Sequence, residues 1–252
     1  MIMNEISELI QELKRSITDS VSEKKIGIAF SGGVDSTLLA KLCSDLDYSI
    51  TLLTVGFPNS HDVLFSKKIN EILHLPHKIY EIEENSFFNI SNKIKNKIKT
   101  DNLSWNENCI AFYYVSKLAQ FHHLNTVVTA NGLDELFCGY NAYRDAIKEG
   151  EKKVKNLMNS KIENELKMMD VVNSISSEFN VKLLQPFLSE HFVKYAKKIP
   201  LENKIKNSDD VIRKHIIRKA ALQINVPEIS ANKRKKALQY GSLIHKALIK
   251  SK

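Results

Sequence analysis

Residues 25–42 constrain the fold more than any other stretch. Lys25-Ile-Gly-Ile-Ala-Phe30 is a short apolar run, Ser31-Gly32-Gly33 breaks it, and Asp35-Ser-Thr-Leu-Leu-Ala-Lys-Leu42 opens a helical pattern. A strand, a glycine turn and a helix start predict a βα unit whose turn exposes several backbone N–H groups in front of the positive end of a helix dipole. Such a turn is a cradle for an anion, phosphate above all. No Lys follows the second glycine as in GxxxxGK(S/T), and no third glycine completes GxGxxG, so two common phosphate loops are excluded. Ser31 and Ser36 can bond phosphate oxygens, Gly32 and Gly33 let the backbone come close, and Asp35 can hold Mg²⁺ on a leaving pyrophosphate. The competing reading is a tight turn whose Ser and Asp only cap the helix.

The same alternation continues. Residues 49–55 read as a second strand, 62–74 as a helix closed before Pro76, 78–82 as a third strand, 108–121 as a helix and 126–130 as a fourth strand. Residues 4–20, with Ile6, Leu9, Ile10, Leu13 and Ile17 in a three-four rhythm, read as an amphipathic helix. Short apolar strands between helices predict an α/β fold, a parallel twisted sheet with helices on both faces, whose ligands bind beyond the carboxyl ends of the strands. From about residue 141 helical periodicity dominates, apart from the apolar stretch 181–188 around Pro186. The expected organisation is one domain over 1–252: an N-terminal helix (1–20), an α/β core (21–140), and a helical subdomain with a basic end (141–252). No Gly/Ser/Pro-rich linker divides it.

Composition narrows the function classes. No apolar run approaches the roughly eighteen residues of a membrane span, and the N-terminus mixes charge with apolar residues, so a cytoplasmic protein without a membrane partner is expected. Cys43, Cys109 and Cys138 lie far apart with no CxxC pair, which excludes a cysteine-only zinc ribbon, iron-sulfur cluster or disulfide framework. The formal net charge is +8, yet residues 201–252 alone hold 13 Lys or Arg against 4 Asp or Glu. Three readings compete for this tail: nucleic-acid binding, a flap over an anionic small ligand, or simple Lys bias, since only five of the 37 basic residues are Arg.

The turn Ser31-Gly-Gly-Val-Asp-Ser36 resembles the pyrophosphate loop of the ATP pyrophosphatase superfamily, which cleaves ATP to AMP and pyrophosphate. That motif leaves NAD, GMP, lysidine and asparagine synthetases and tRNA thiolases open. The stretch Thr129-Ala-Asn-Gly-Leu-Asp-Glu-Leu-Phe-Cys-Gly-Tyr140 resembles the asparagine synthetase pattern ending in DELFGGY. Gln185-Pro-Phe-Leu188 is similar to the RxPFLD segment, Lys214-His-Ile-Ile-Arg218 to the KxxLR helix, and Lys233–Ser242 to the basic tail. The matches run in family order from about residue 25 to 245. The resemblance implies ATP and Mg²⁺ as cofactors, with Asp35 and Asp134 on the metal. It implies Lys214 at the α-phosphate and adenylated carboxylate, and Lys214, Asp134 and Arg218 as catalytic residues. It further implies Ser31, Gly32, Gly33, Asp35, Ser36, Thr54, Val55, Gly56, Gly132 and Lys235 around the nucleotide. Lys214 and Arg218 could equally belong to a solvated basic face, residues 54–56 to a turn, and Asp62 to an N-cap.

Departures from the family are as informative. Ile2 stands where glutamine-dependent members place a cysteine nucleophile, and no glutaminase domain is present in the sequence. Ammonia is therefore expected free or from a separate glutaminase. Asn131 occupies the place where most members carry an acid suited to take a proton from the attacking amine, and Asn is no base at neutral pH. Ser189 replaces an Asp, and Cys138 a Gly. The leading expectation is an AMP-forming carbon–nitrogen ligase that adenylates a carboxylate, L-aspartate by default, and transfers it to ammonia. The alternatives are a related ligase acting on another carboxylate or a tRNA base, or a catalytically weakened ATP-binding partner subunit.

Overall fold

The computed structural model describes residues 2–234 and 236–250. Five strands, β1 (Lys25–Ala29), β2 (Ser49–Gly56), β3 (His77–Glu81), β4 (Thr126–Val128) and β5 (Lys182–Leu184), form one sheet in the order β3-β2-β1-β4-β5. Every pairing is parallel. Ile28 of β1 faces Leu52 on one side and Val128 on the other, and Val128 in turn faces Leu184. The central strands are runs of Ile, Leu and Val because helices cover both faces, while the edge strand β3 keeps His, Lys, Tyr and Glu half-buried or exposed.

The helices are α1 (Ile2–Ser20), α2 (Val34–Asp45), α3 (His61–Leu73), α4 (Glu84–Ile98), α5 (Leu103–Phe121), α6 (Leu133–Leu136), α7 (Ala142–Ala146), α8 (Glu151–Ser176), α9 (Glu190–Lys198), α10 (His215–Gln223), α11 (Glu228–Ala231), α12 (Leu238–Gly241) and α13 (Ile244–Lys250). On one face Leu9, Leu13 and Ile17 of α1 join Leu38, Leu39 and Leu42 of α2 and Ile216 and Ile217 of α10 in a buried cluster. On the other, Phe112, Val115 and Leu118 of α5 pack with Val172 and Ile175 of α8 over Leu53 and Val127. Truncating one of these fully buried leucines to Ala removes about 2–5 kcal/mol of stability.

The chain steps from β1 to β2 to β3 in one direction, then returns to the far side of β1 to lay down β4. This reversal opens a crevice where the carboxyl ends of β1 and β4 diverge, the place where an open α/β sheet receives its ligand. β4 ends at Val128, two residues short of the strand expected from sequence, which frees residues 129–132 to bend into the crevice.

The apolar stretch 181–188, set apart from the helical periodicity in the sequence, contains a strand, β5, that the sequence did not assign. Its three residues are too few to show a period, yet Leu183 pairs with Val127, so the sheet takes its last strand from beyond the long helix α8. The basic C-terminal segment folds back on the core. Ser230 donates to the Gly32 carbonyl at 2.7 Å, the Phe57 N–H to the Ser242 carbonyl at 3.0 Å, and His245 Nδ1 lies 2.5 Å from Glu107 Oε1. Among the described residues no helix is long and apolar enough to cross a membrane.

Candidate active site

The glycine turn folds because Gly32 adopts φ +77°, a conformation in which a side chain would be strained and would press on Phe65 and Ile69 of α3. Gly33 then enters α2 with an extended backbone. Ser31 N–H donates to Ser36 Oγ at 3.3 Å, Ser36 Oγ donates to the Gly33 carbonyl at 3.2 Å, and the two hydroxyl oxygens lie 3.4 Å apart. The hydroxyls thus converge at the mouth of the helix, beside first-turn N–H groups that have no acceptor within the helix.

Asp35 comes from the first turn of α2, beyond β1, and Asp134 from α6, beyond β4. Their carboxylates are joined by Lys214, whose Nζ is 2.5 Å from Asp35 Oδ2 and 2.5 Å from Asp134 Oδ1. The Lys214 side chain is 1% exposed, and burial is the largest influence pulling its pKa below the ordinary lysine value, with the Asp35 charge opposing it. Asp35 Oδ1 is buried without a hydrogen-bond partner.

Holding that ammonium in place takes a strained loop. Arg213 and Lys214 both have positive φ, 51° and 53°, which costs about 1–2 kcal/mol per residue. Asp210 fixes the loop by accepting from the N–H groups of Lys206, Ile212 and Arg213 and by pairing with His215 Nε2 at 2.6 Å. Burial works to raise the Asp210 pKa, but these bonds outweigh it and leave it at about 2. Arg213 Nη2 adds a bond to the Gly139 carbonyl at 3.0 Å. Gly139 is required by close approach: a Cβ there would meet Lys214 Cε at 2.5 Å.

A cavity of about 270 Å³ runs from the glycine turn, past these three groups, to a cleft between α5 and α8. Ser104, Asn108, Phe112 and Val115 line it from α5, and Lys161, Asn164, Glu165 and Met168 from α8, each set following one helical face. Asn131 sits between the two ends. Its Oδ1 accepts from Thr129 Oγ1 at 2.6 Å, and its Nδ2 donates to Glu165 Oε1 at 2.6 Å. Glu165 is 5% exposed, and burial raises its pKa above the usual carboxylate range, opposed by the Asn131 bond and the Lys161 charge. Neighbouring Glu135 is raised too, by burial first and by the Glu165 charge second. It accepts from Tyr140 Oη and from the Gly132 N–H at 3.1 Å.

Sequence reasoning missed Glu165, although a signal was present. The buried stripe of α8 runs Val154, Met158, Ile162, Glu165, Met169, Val172, and an acid on such a stripe must have a partner or a task.

The structure gathers Ser31, Gly33, Asp35, Ser36, Val55, Asp134 and Lys214 around the cavity. Thr54, Gly56, Gly132 and Arg218 are not among its lining residues. Thr54 donates to the Phe30 carbonyl at 2.7 Å and meets His77 Nε2 at 2.8 Å, so its side chain ties β2 to the residue after β1. Gly56 packs against Ser60 and Ser242, and Gly132 lies beneath Phe187. Arg218, expected beside Lys214 on one helix face, is separated from it because Lys214 precedes α10 and turns back into the crevice. The Arg218 guanidinium donates to the carbonyls of Arg213, Ala231, Lys233 and Ile212 at 2.5–3.0 Å. It ties the lysine loop to the tail and is not among the residues that line the cavity. Lys235 lies outside the described residues. Its neighbours Lys233, Arg234 and Lys236 do line the cavity, and the Lys233 ammonium sits 3.1 Å from the centre of the Phe65 ring. Ser189 caps α9 and bonds Ser16, away from the cavity. All three cysteines are buried, and burial pushes each thiol up to about 12, so none is a nucleophile.

A sequence model described as Asparagine synthase matches residues 8–178 and 150–250, together nearly the whole chain. The chain belongs to the asparagine synthase family. Among curated relatives, a Methanocaldococcus jannaschii protein named "Putative asparagine synthetase (glutamine-hydrolyzing) 1" is 30% identical over 271 residues, covering 93% of this chain and 50% of its own length. Asparagine synthetase (glutamine-hydrolyzing) 1 of Bacillus subtilis is 28% identical over 153 residues, covering 58% of this chain and 24% of its own length. The chain therefore spans half or less of these relatives. Among solved structures, the NH₃-dependent NAD synthetase of Campylobacter jejuni aligns over 79% of this chain and 98% of its own, at 16% identity and a TM-score of 0.40. Within the asparagine synthase family frame, the crevice between β1 and β4 is this member's candidate active site.

Proposed function

We propose that this family member is an ATP-dependent, AMP- and pyrophosphate-forming ligase that adenylates a carboxylate and transfers the acyl group to ammonia, free or delivered by a separate glutaminase. L-aspartate is the default carboxylate, and the cytoplasm the expected location. The observation that carries the reading is the convergence of Asp35, Asp134 and Lys214 at the mouth of the glycine turn, beside the α5–α8 cleft.

ATP and Mg²⁺ fit the groups present. The turn offers N–H donors and two hydroxyls for pyrophosphate oxygens, and the basic residues Lys233, Arg234 and Lys236 surround the same cavity. Asp35, with an oxygen that has no protein partner, and Asp134 are hard anionic donors suited to Mg²⁺. Among the described residues no third His, Cys, Asp or Glu joins them, as expected of an ion that completes its shell with phosphate oxygens. Bound there, Mg²⁺ would neutralise charge on the departing pyrophosphate.

The chain's own groups divide the work. In this reading Lys214 stabilises the negative charge that builds as a carboxylate oxygen attacks the α-phosphorus. In the second half, ammonia attacks the acyl carbon and must lose a proton as AMP leaves. Asn131 cannot take that proton, but it holds the Glu165 carboxylate at 2.6 Å inside the cavity. Glu165 supplies the base, its raised pKa bringing it closer to that of its task. Exchange of labelled pyrophosphate into ATP, dependent on a carboxylate and followed by ammonia-dependent AMP release, tests the reading. ADP formation with every carboxylate would defeat it. Binding of total tRNA across a salt series tests the RNA alternative for the basic tail.

A further inference from the structure

The place between Asp35 and Asp134 is taken by an ammonium. Nζ of Lys214 lies 2.5 Å from one oxygen of each carboxylate. A Mg²⁺ bound through those same two oxygens would have to take the ammonium's place, because both cations need the oxygens at bonding distance. Forcing both in would bring about three positive charges within a few ångströms, where their repulsion favours one cation over two.

We propose that Lys214 is the built-in counter-ion of Asp35 and Asp134, which keeps free divalent metal out and admits it only as its nucleotide complex. This rests on the ATP-dependent reading above. Three features carry it. The side chain runs in a slot that only a glycine at 139 leaves open, so the ammonium reaches the carboxylates directly. The backbone at Arg213 and Lys214 is locked by Asp210 and the Gly139 carbonyl, which leaves side-chain torsions as the freedom by which the ammonium can shift. The glycine turn lies beside Asp35, so an arriving phosphate offers the ammonium a new anionic partner within the same crevice. Charge would balance in the exchange: the ammonium would pass from the two carboxylates to phosphate oxygens, and Asp35, whose Oδ1 has no protein partner, and Asp134 would be left to hold the metal brought by the nucleotide.

Mn²⁺ is the probe, followed by the paramagnetic resonance of the free ion. Without nucleotide, wild type is expected to show no Asp35-dependent site up to millimolar Mn²⁺. Lys214→Met is expected to gain one site per chain, at least about tenfold tighter, which Asp35→Asn added to it abolishes. With a non-hydrolysable ATP analogue, wild type is expected to bind the Mn²⁺ complex, and Asp35→Asn to weaken it. Should Lys214→Met not fold, wild type against Asp35→Asn still decides: an Asp35-dependent site for free Mn²⁺ overturns the proposal, and a site seen only with the analogue supports it. Free-metal binding with pyrophosphate exchange intact defeats the counter-ion alone. Failure of wild type to bind the Mn²⁺–nucleotide complex or to exchange pyrophosphate defeats the underlying function.

Discussion

At the β1 end of the cavity the groups offered to an anion belong largely to the backbone, set by one turn of six consecutive residues. At the α5–α8 end the lining groups are side chains from two helices, more than forty residues apart in the chain, and the acid among them, Glu165, is held by an amide, Asn131, from the turn after β4. The first end is local, and its chemistry follows from a short motif. The second is assembled by packing, so a change such as acid to Asn at 131 need not abolish a function if a neighbouring helix supplies the lost group. Under the proposed function, the difference assigns adenylation to the β1 end and acyl transfer to the cleft.

Substitutions should split along that line. The largest effect is expected from Asp35→Asn or Asp134→Asn, which removes charge facing the metal and lowers both pyrophosphate exchange and AMP release by about 10³-fold or more. Glu165→Gln should leave exchange within a few-fold of wild type and reduce ammonia-dependent AMP release by about 10²–10³-fold. If both fall together, the cleft is not separate from adenylation.

The same variant has a stability signature. Burial raises the folded-state pKa of Glu165, so its contribution to stability is present below the ordinary carboxylate value and is lost as pH rises through the raised one. Glu165→Gln should therefore be more stable than wild type at pH 8, by about 1–2 kcal/mol, and the gain should shrink toward pH 5 in thermal melts. The acyl-transfer rate of wild type should rise over the window in which its stability falls, because the base works ionised.

Smaller effects test the supports. Asp210→Ala should cost about 1–3 kcal/mol in denaturant unfolding and slow exchange, because the Lys214 loop loses the acceptor that holds its strained backbone. The Asp210 contribution is present above the ordinary Asp value and disappears as pH falls through about 2, so this difference should vanish only in strong acid. Thr54→Val should do least, costing about 1 kcal/mol or less, since the hydroxyl ties two strands together and does not line the cavity.

The α/β alternation, the amphipathic α1 and the glycine turn were legible from local patterns, and the meeting of Asp35 and Asp134 was implied by the family resemblance. β5 showed only as a break in the helical pattern at residues 181–188, because a three-residue strand has no period of its own. Arg218 was misplaced for a specific reason: spacing of four implies a shared face only if both residues are helical, and Lys214, with φ 53°, lies just before the helix begins. Glu165 was legible only as an anomaly on an apolar stripe, and its partner, 34 residues away, could be identified only in the fold.

The central claim is that this crevice adenylates a carboxylate. Its most direct measurement is carboxylate-dependent incorporation of labelled pyrophosphate into ATP by wild type and Asp35→Asn, without ammonia. The account predicts incorporation by wild type with at least one carboxylate, L-aspartate first, and its loss in the variant. ADP and phosphate as products with no exchange, or exchange untouched by Asp35→Asn, would contradict it.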